Sequence, residues 1–188
     1  PEVIKAINAF GQNDFKEILG GDGMQVMIDT RDNNTLYTGY QFGNYSRVKL
    51  NEQDYMDLSV RHTLGERPLR WNWQTPILLS KFNQDILYIC SNKVHRSTDK
   101  GETFTTLSGD LTMGERAGNV PFGSLTCIDE SKLQFGLLAV GSDDGRVHVS
   151  PDNGYTWNDV SAGLPGNLWV ARVQFSSHVK SRIYVVLN

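Results

Sequence analysis

This sequence has no long apolar run and no block of charge of one sign. Its 188 residues carry 18 lysines and arginines against 21 aspartates and glutamates, a formal charge of −3 spread along the chain. That balance offers no basic stripe to a phosphate backbone, so nucleic acid is not an expected partner. Stretches such as PILL and ILYIC fall far short of the roughly 20 apolar residues a membrane-crossing helix needs, and no signal-peptide pattern follows Pro1. No membrane span is expected. Cysteine is scarce, with Cys90 and Cys127 alone, both in strand-like segments. Buried unpaired thiols are the simplest expectation, with a disulfide or a reactive thiol as alternatives.

Chemical signatures are scarce too. No Gly-x-Gly phosphate loop, nucleotide fingerprint or catalytic Ser/His pattern stands in the chain. His95, His148 and His178 lack a second ligand at a recognisable spacing, so no metal and no cofactor are expected. No stretch shows a convincing 3.6-residue apolar period, which argues against helices.

What the chain does have is repetition. STDKGETF at 97–104 and SPDNGYTW at 150–157 share the skeleton Ser-x-Asp-x-Gly-x-Thr-aromatic. Apolar runs recur as TLYTGY, ILYICS, LLAVGS and RIYVVL, about fifty residues apart, and each follows another strand-like run: MQVMID, TPILLS, SLTCID and WVARVQF. Turn makers such as TRDNN and KFNQD separate the members of each pair. A third run leads into each octapeptide and a fourth leaves it. Four short antiparallel strands repeated at this period predict an all-β chain of β-propeller blades. The blades are expected at 20–69, 70–120 and 121–166, with a partial blade at 167–188 and the outer strand or strands of a preceding blade at 1–19. An incomplete propeller follows, in which the remaining blades of the same protein or another copy of the chain cover the bare faces.

The octapeptide has a physical reading. Its aspartate, Asp99 or Asp152, follows a strand and is placed to accept backbone N–H bonds from the turn. Gly101 and Gly154 supply the positive φ of the reversal. Thr103 and Thr156 return the chain to strand geometry, while Phe104 and Trp157 anchor the turn in the blade core. Ser97 and Ser150 open the two motifs. These residues are expected to be structural.

STDKGETF and SPDNGYTW resemble the Asp boxes, or BNR-type repeats, of sialidases, sortilin-type propellers and xyloglucan-active glycoside hydrolases. GGDGMQVMID, RWNWQTPILLS, NKVHRSTDKGETF, DLT and GSDDGRVHVSPDNGYTWNDVSAGLP, followed by WVARVQFS, resemble in the same order a group of sortilin-like propeller proteins often labelled glycosyl hydrolases. The first blade departs from the pattern: NYSRVKLNEQDYMDL has Asp54 but no glycine where a box would fall. The resemblance implies an exported or extracellular protein.

In such a blade the third-to-fourth strand turn lies on the lower rim, so the ligand face is the opposite one. The starts of first strands put Asp22, Arg70, Asn72, Trp73, Ser124, Trp169 and Arg172 on the upper rim; the second-to-third turns add Gln41, Asn92, Asp143 and Asp144. Arg70, Asn72, Trp73, Asn92, Trp169 and Arg172 form the expected ligand set, since aromatic faces stack on sugar rings and polar groups bond their hydroxyls. Trp71, Trp73 and Trp169 also suit packing between blades, and Asp143 and Asp144 suit a hairpin turn. Arg61, Arg67 and His62 read as solvated loop charge. Asp22, in GGDG, resembles the general-acid stretch of the xyloglucan-active enzymes. The expected function is therefore a binding or scaffold propeller segment holding a glycan or peptide, with a xyloglucanase-like glycoside hydrolase using Asp22 as the alternative.

Overall fold

The structure, a computed structural model, describes residues 18–22, 24–52, 54–115 and 123–188. The expected outer strand within 1–19 falls almost entirely outside these residues. Alternating apolar runs and Asx-rich turns build fourteen strands, and no helix is present among the described residues. The first sheet contains β1 (Met27–Ile28), β2 (Thr35–Tyr40), β3 (Asn44–Lys49) and β4 (Asp54–Asp57). The second contains β5 (Ile77–Leu79), β6 (Leu87–Cys90), β7 (Val94–Ser97) and β8 (Thr105–Thr106). The third contains β9 (Leu125–Glu130), β10 (Leu138–Ser142), β11 (Val147–Ser150) and β12 (Asn158–Asp159). A two-stranded sheet of β13 (Val170–Phe175) and β14 (Ile183–Leu187) follows. In every sheet the strands pair antiparallel in chain order, so each is a meander.

The sheets stack face to face, and the reason lies in the second strands. All four residues of β6 and all five of β10 are buried, which requires cover on both faces. Three apolar layers provide it. Tyr37, Tyr45, Leu58, Ile77, Leu87 and Ile89 fill the first junction. Tyr88, Cys90, Val94, Leu125, Leu138 and Val140 fill the second. Ala139, Val147, Val170, Val173 and Phe175 fill the third. Each fully buried Leu, Ile or Val in these layers stabilises the stack by about 1.5–3 kcal/mol. Cys90 and Cys127 are unpaired, and burial raises both thiols above the ordinary range.

The repeated octapeptides form hydrogen-bonded clasps at the β7–β8 and β11–β12 turns. Asp99 Oδ1 accepts from Ser97 Oγ at 2.6 Å and from Thr103 N at 2.9 Å, and Oδ2 accepts from Thr103 Oγ1 at 2.6 Å. Asp152 repeats the set with Ser150 Oγ at 3.0 Å, Thr156 N at 2.8 Å and Thr156 Oγ1 at 2.7 Å. The glycine amides of Gly101 and Gly154 donate to Ser97 Oγ and Ser150 Oγ rather than to the aspartates. The serines are therefore the hub of each turn, a role the spacing did not disclose.

Phe104 packs on the first junction and Trp157 on the second, in clusters that hold residues of their own sheet and of the preceding one. Trp157 Nε1 also donates to Leu107 O at 3.3 Å. The clasps thus join one sheet to the one before it. A carboxylate on the lower rim does the same work: Glu130, fully buried, accepts from Ser80 Oγ at 2.8 Å, Lys81 N at 2.9 Å and Gly136 N at 3.2 Å.

Two outcomes test the clasp. Gly101 has a φ of +91°, and an added Cβ would stand 2.3 Å from Leu58 Cδ2. Gly101→Ala should lower the unfolding free energy by about 2 kcal/mol in urea titrations. The Ser97 and Thr103 bonds hold the Asp99 carboxyl at about 2, below its ordinary range. A depressed carboxylate contributes stability above its unfolded pKa of about 4 and loses it as pH falls toward the folded value. The stability gap between the wild type and Asp99→Asn should therefore shrink as pH drops from about 4 to about 2, read from denaturation midpoints.

Candidate functional site

First strands begin, and second strands end, on the rim opposite the clasps. The 41–43 turn and the segments entering β5 and β9 meet there. Arg70 precedes β5 and spans the junction between the second and third sheets. Its Nε donates to Gly123 O at 2.8 Å and its Nη2 to Thr112 Oγ1 at 3.0 Å, while the guanidinium pairs with Asp110. Burial pushes the Asp110 carboxyl upward, but the bonds from Arg70 and Thr112 outweigh it and the net shift is downward. Arg70 N donates to Asn92 Oδ1 at 3.1 Å. Asn72 Nδ2 donates to Ser124 Oγ at 3.1 Å, and Ser124 Oγ donates to Asp143 Oδ2 at 2.8 Å.

Arg70 and Asn72 therefore act as struts between the second and third sheets, while Asn92 braces the segment that enters β5. Asn72 and Asn92 are buried, and Arg70 Nε and Nη2, Asn72 Nδ2 and Asn92 Oδ1 are bonded to protein partners. Sequence reasoning expected them on the rim as ligand-binding residues but had no means of showing which way they point. Asp143 also does more than shape a hairpin turn: it accepts from Gly123 N at 3.0 Å and Ser124 N at 3.2 Å. Burial raises its carboxyl despite these bonds. Asp144 accepts from Ser142 Oγ at 2.5 Å and Met113 N at 2.7 Å.

Trp73 is different, with half its surface exposed at 49%. Phe42 stands edge-on to it, ring centroids 5.2 Å apart and planes at 77°. Phe42 was not among the expected site residues; it lies in the β2–β3 turn with a φ of +61°. For a bulky side chain that conformation costs about 1–3 kcal/mol, and such strain concentrates at binding sites. Phe42 N donates to Trp73 O at 3.2 Å, which holds the turn against the start of β5. Beside the pair, Phe42, Arg67, Arg70, Trp71 and Glu115 line a concavity of about 490 Å³. That volume suits a small ligand or a sugar unit. Gln41 Oε1, in the same turn, is sheltered from water without a hydrogen-bond partner. Gly21 packs on Tyr40 and lies near Gln41 Oε1, so the exposed Asp22 sits by this turn.

The remaining expected residues lie elsewhere. Arg172 is exposed and, with Gln25, Gln74, Asp129 and Gln174, lines a central cavity of about 470 Å³ bounded by the four first strands. Trp169 is 37% exposed and lines neither this cavity nor the rim concavity. The expected ligand set is thus scattered: Arg70, Asn72 and Asn92 brace the rim, Trp73 faces the aromatic turn, Arg172 lines the hub and Trp169 lies apart from both.

His95 superficially resembles a catalytic histidine, because its Nε2 lies 2.8 Å from Ser91 Oγ and its Nδ1 lies 3.0 Å from Thr106 Oγ1. Both His95 and Ser91 are buried, so no substrate reaches them. Among the described residues no cluster of His, Cys, Asp and Glu is arranged to hold a metal. Desolvation lowers the His95 pKa to about 4. The unfolded chain takes up that proton first, near pH 6.5, so stability is full above about 6.5 and declines as pH falls toward the folded value. His95→Gln should show a shallower loss of stability between about pH 6.5 and 4 than the wild type, measured by denaturation across pH.

No family model matches the sequence, and no curated protein matches it. In fold it is similar to the GH74 xyloglucanase from Xanthomonas campestris, at 18% identity and a TM-score of 0.56 over 79% of this chain and 24% of that one. It is also similar to the GH74 enzyme from Niastella koreensis, at 17% identity and a TM-score of 0.58 over 88% of this chain and 26% of that one. The extracellular domain of a one-component system from B. thetaiotaomicron aligns at 10% identity with a TM-score of 0.60, over 88% of this chain and 20% of that chain. The chain spans about a quarter or less of these proteins' lengths. Four-stranded antiparallel meanders arrayed around one cavity, and this shared architecture, make the chain an all-β segment of β-propeller blades.

Proposed function

We propose that this chain belongs to an extracellular β-propeller that binds a glycan on its upper rim, at the Phe42–Trp73 pair. The observation that carries this reading is the strained aromatic turn: Phe42 is held at a φ of +61° against a half-exposed Trp73. Aromatic faces suit the C–H faces of a pyranose, and Arg67 and Glu115 offer polar contacts for its hydroxyls. The glycan-active neighbours favour a sugar over a peptide. The two clasps are read as Asp boxes of the sortilin and sialidase type, structural rather than catalytic, because their carboxylates are committed to their own turns.

The test is a tryptophan-fluorescence titration with xyloglucan oligosaccharides. Trp73→Ala and Phe42→Ala should each weaken binding by roughly tenfold, equivalent to about 1.4 kcal/mol, while Arg172→Ala, at the hub, should leave it unchanged. Equal affinity in all variants sinks the reading, and peptide binding without glycan binding assigns the rim to peptides.

A glycoside hydrolase is the second reading, favoured by the position of Asp22 beside the aromatic turn. It requires a partner carboxylate about 5 Å away for retention or about 6.5–9.5 Å away for inversion. Release of reducing sugar by the wild type, abolished in Asp22→Asn with binding retained, would establish it over a purely binding role.

A further inference from the structure

No substrate reaches His95, but two hydrogen bonds fix the plane of its ring. Nε2 lies 2.8 Å from Ser91 Oγ in the β6–β7 turn, and Nδ1 lies 3.0 Å from Thr106 Oγ1, on the residue opposite in β8. Ser91 Oγ is held in its turn, accepting from Lys93 N at 3.0 Å. A buried imidazole tied at both edges has lost its freedom about χ2. The equivalent histidine of the third sheet is not tied in this way. His148 stands opposite Asp159 on β12, as His95 stands opposite Thr106, but its Nδ1 is buried without a partner. The two-point tether is therefore no general requirement of the repeat; it occurs where Trp71 lies.

The tethered ring meets that indole. Their centroids are 5.9 Å apart, with 34° between the planes. Trp71 packs on the first junction and lines the rim concavity beside Phe42. The β2–β3 turn presses on the same indole: a Cβ added to Gly43 would stand 2.7 Å from Trp71 Cε3 and 2.8 Å from Cδ2. Phe42 and Gly43 both hold positive φ, at +61° and +79°. Trp71 is thus the common neighbour of the fixed imidazole and the strained turn. A left-handed phenylalanine persists only where its surroundings over-determine it, and the indole against Gly43 is one of those restraints.

We propose that His95 is a positioning residue of the rim site. Held by Ser91 and Thr106, it fixes the indole of Trp71, and through Trp71 it keeps the Phe42–Gly43 turn in the conformation that sets Phe42 against Trp73. The inference deepens the glycan reading and rests on it for the identity of the ligand.

The test uses the whole chain with fluorotryptophan at its four tryptophans, followed by fluorine NMR, the Trp71 resonance being assigned with Trp71→Phe. Thr106→Val is the mild probe, an isosteric change at an exposed residue that removes only the Nδ1 bond. It should shift or broaden the Trp71 resonance and speed hydrogen exchange of the Phe42 amide about fivefold, while the amides of β10 exchange as in the wild type. Xyloglucan oligosaccharides should bind Thr106→Val about threefold, and His95→Ala about tenfold, more weakly than the wild type. A histidine that only stabilises the sheet would lower the unfolding midpoint of Thr106→Val and leave the Trp71 resonance of the folded protein in place. An unmoved Trp71 resonance in Thr106→Val therefore overturns the proposal, as does unchanged oligosaccharide affinity in both variants. A wild type that binds no glycan sinks the glycan reading instead, and the resonance and exchange measurements still decide whether His95 positions the turn.

Discussion

A four-stranded sheet that is apolar on both faces cannot stand alone in water, and this constraint organises the chain. β6 and β10 bury every residue, so the second and third sheets must each find a neighbour on either side. Stacking follows, and with it the cavity between the first strands. The repeat is consequently a unit of interface rather than a unit of independent stability, as in other repeat arrays.

Burial on this scale raises the difficulty of the polar groups at strand ends, and short-range carboxylates resolve it. Asp32, in the β1–β2 turn, accepts from Asn34 N, Thr35 N and Thr35 Oγ1, a similarly local arrangement. Glu130 does for the lower rim what Asp143 does for the upper one, each accepting backbone amides at a sheet junction. These groups lack the freedom that acid–base chemistry requires. The same reasoning removes Ser91 and His95 from catalysis, because their mutual hydrogen bond lies inside the second sheet.

Surface open to a ligand is what the interfaces do not use. On the upper rim that is the strained Phe42 turn and the exposed face of Trp73; at the hub it is Arg172 and the glutamines around it. The two regions differ in chemistry, one aromatic and one amide-rich. The glycan proposed for the rim would stack on the first.

The sequence by itself determined the fold class. The roughly fifty-residue recurrence of apolar runs fixes strand number and order, and the Ser-x-Asp-x-Gly-x-Thr spacing fixes two turns through bonds spanning at most four residues. Such contacts are local and therefore visible in a linear string. Only the tertiary structure decided direction and partnership. Arg70 meets Gly123 across 53 positions, and Asn72 meets Ser124 across 52, so their inward commitment appears only when two sheets pack. Phe42 is apolar, in a turn, and without any motif; its place against Trp73 depends on a backbone angle and a neighbouring sheet. Side-chain orientation at a junction is set by distant contacts, which periodicity along the chain does not encode.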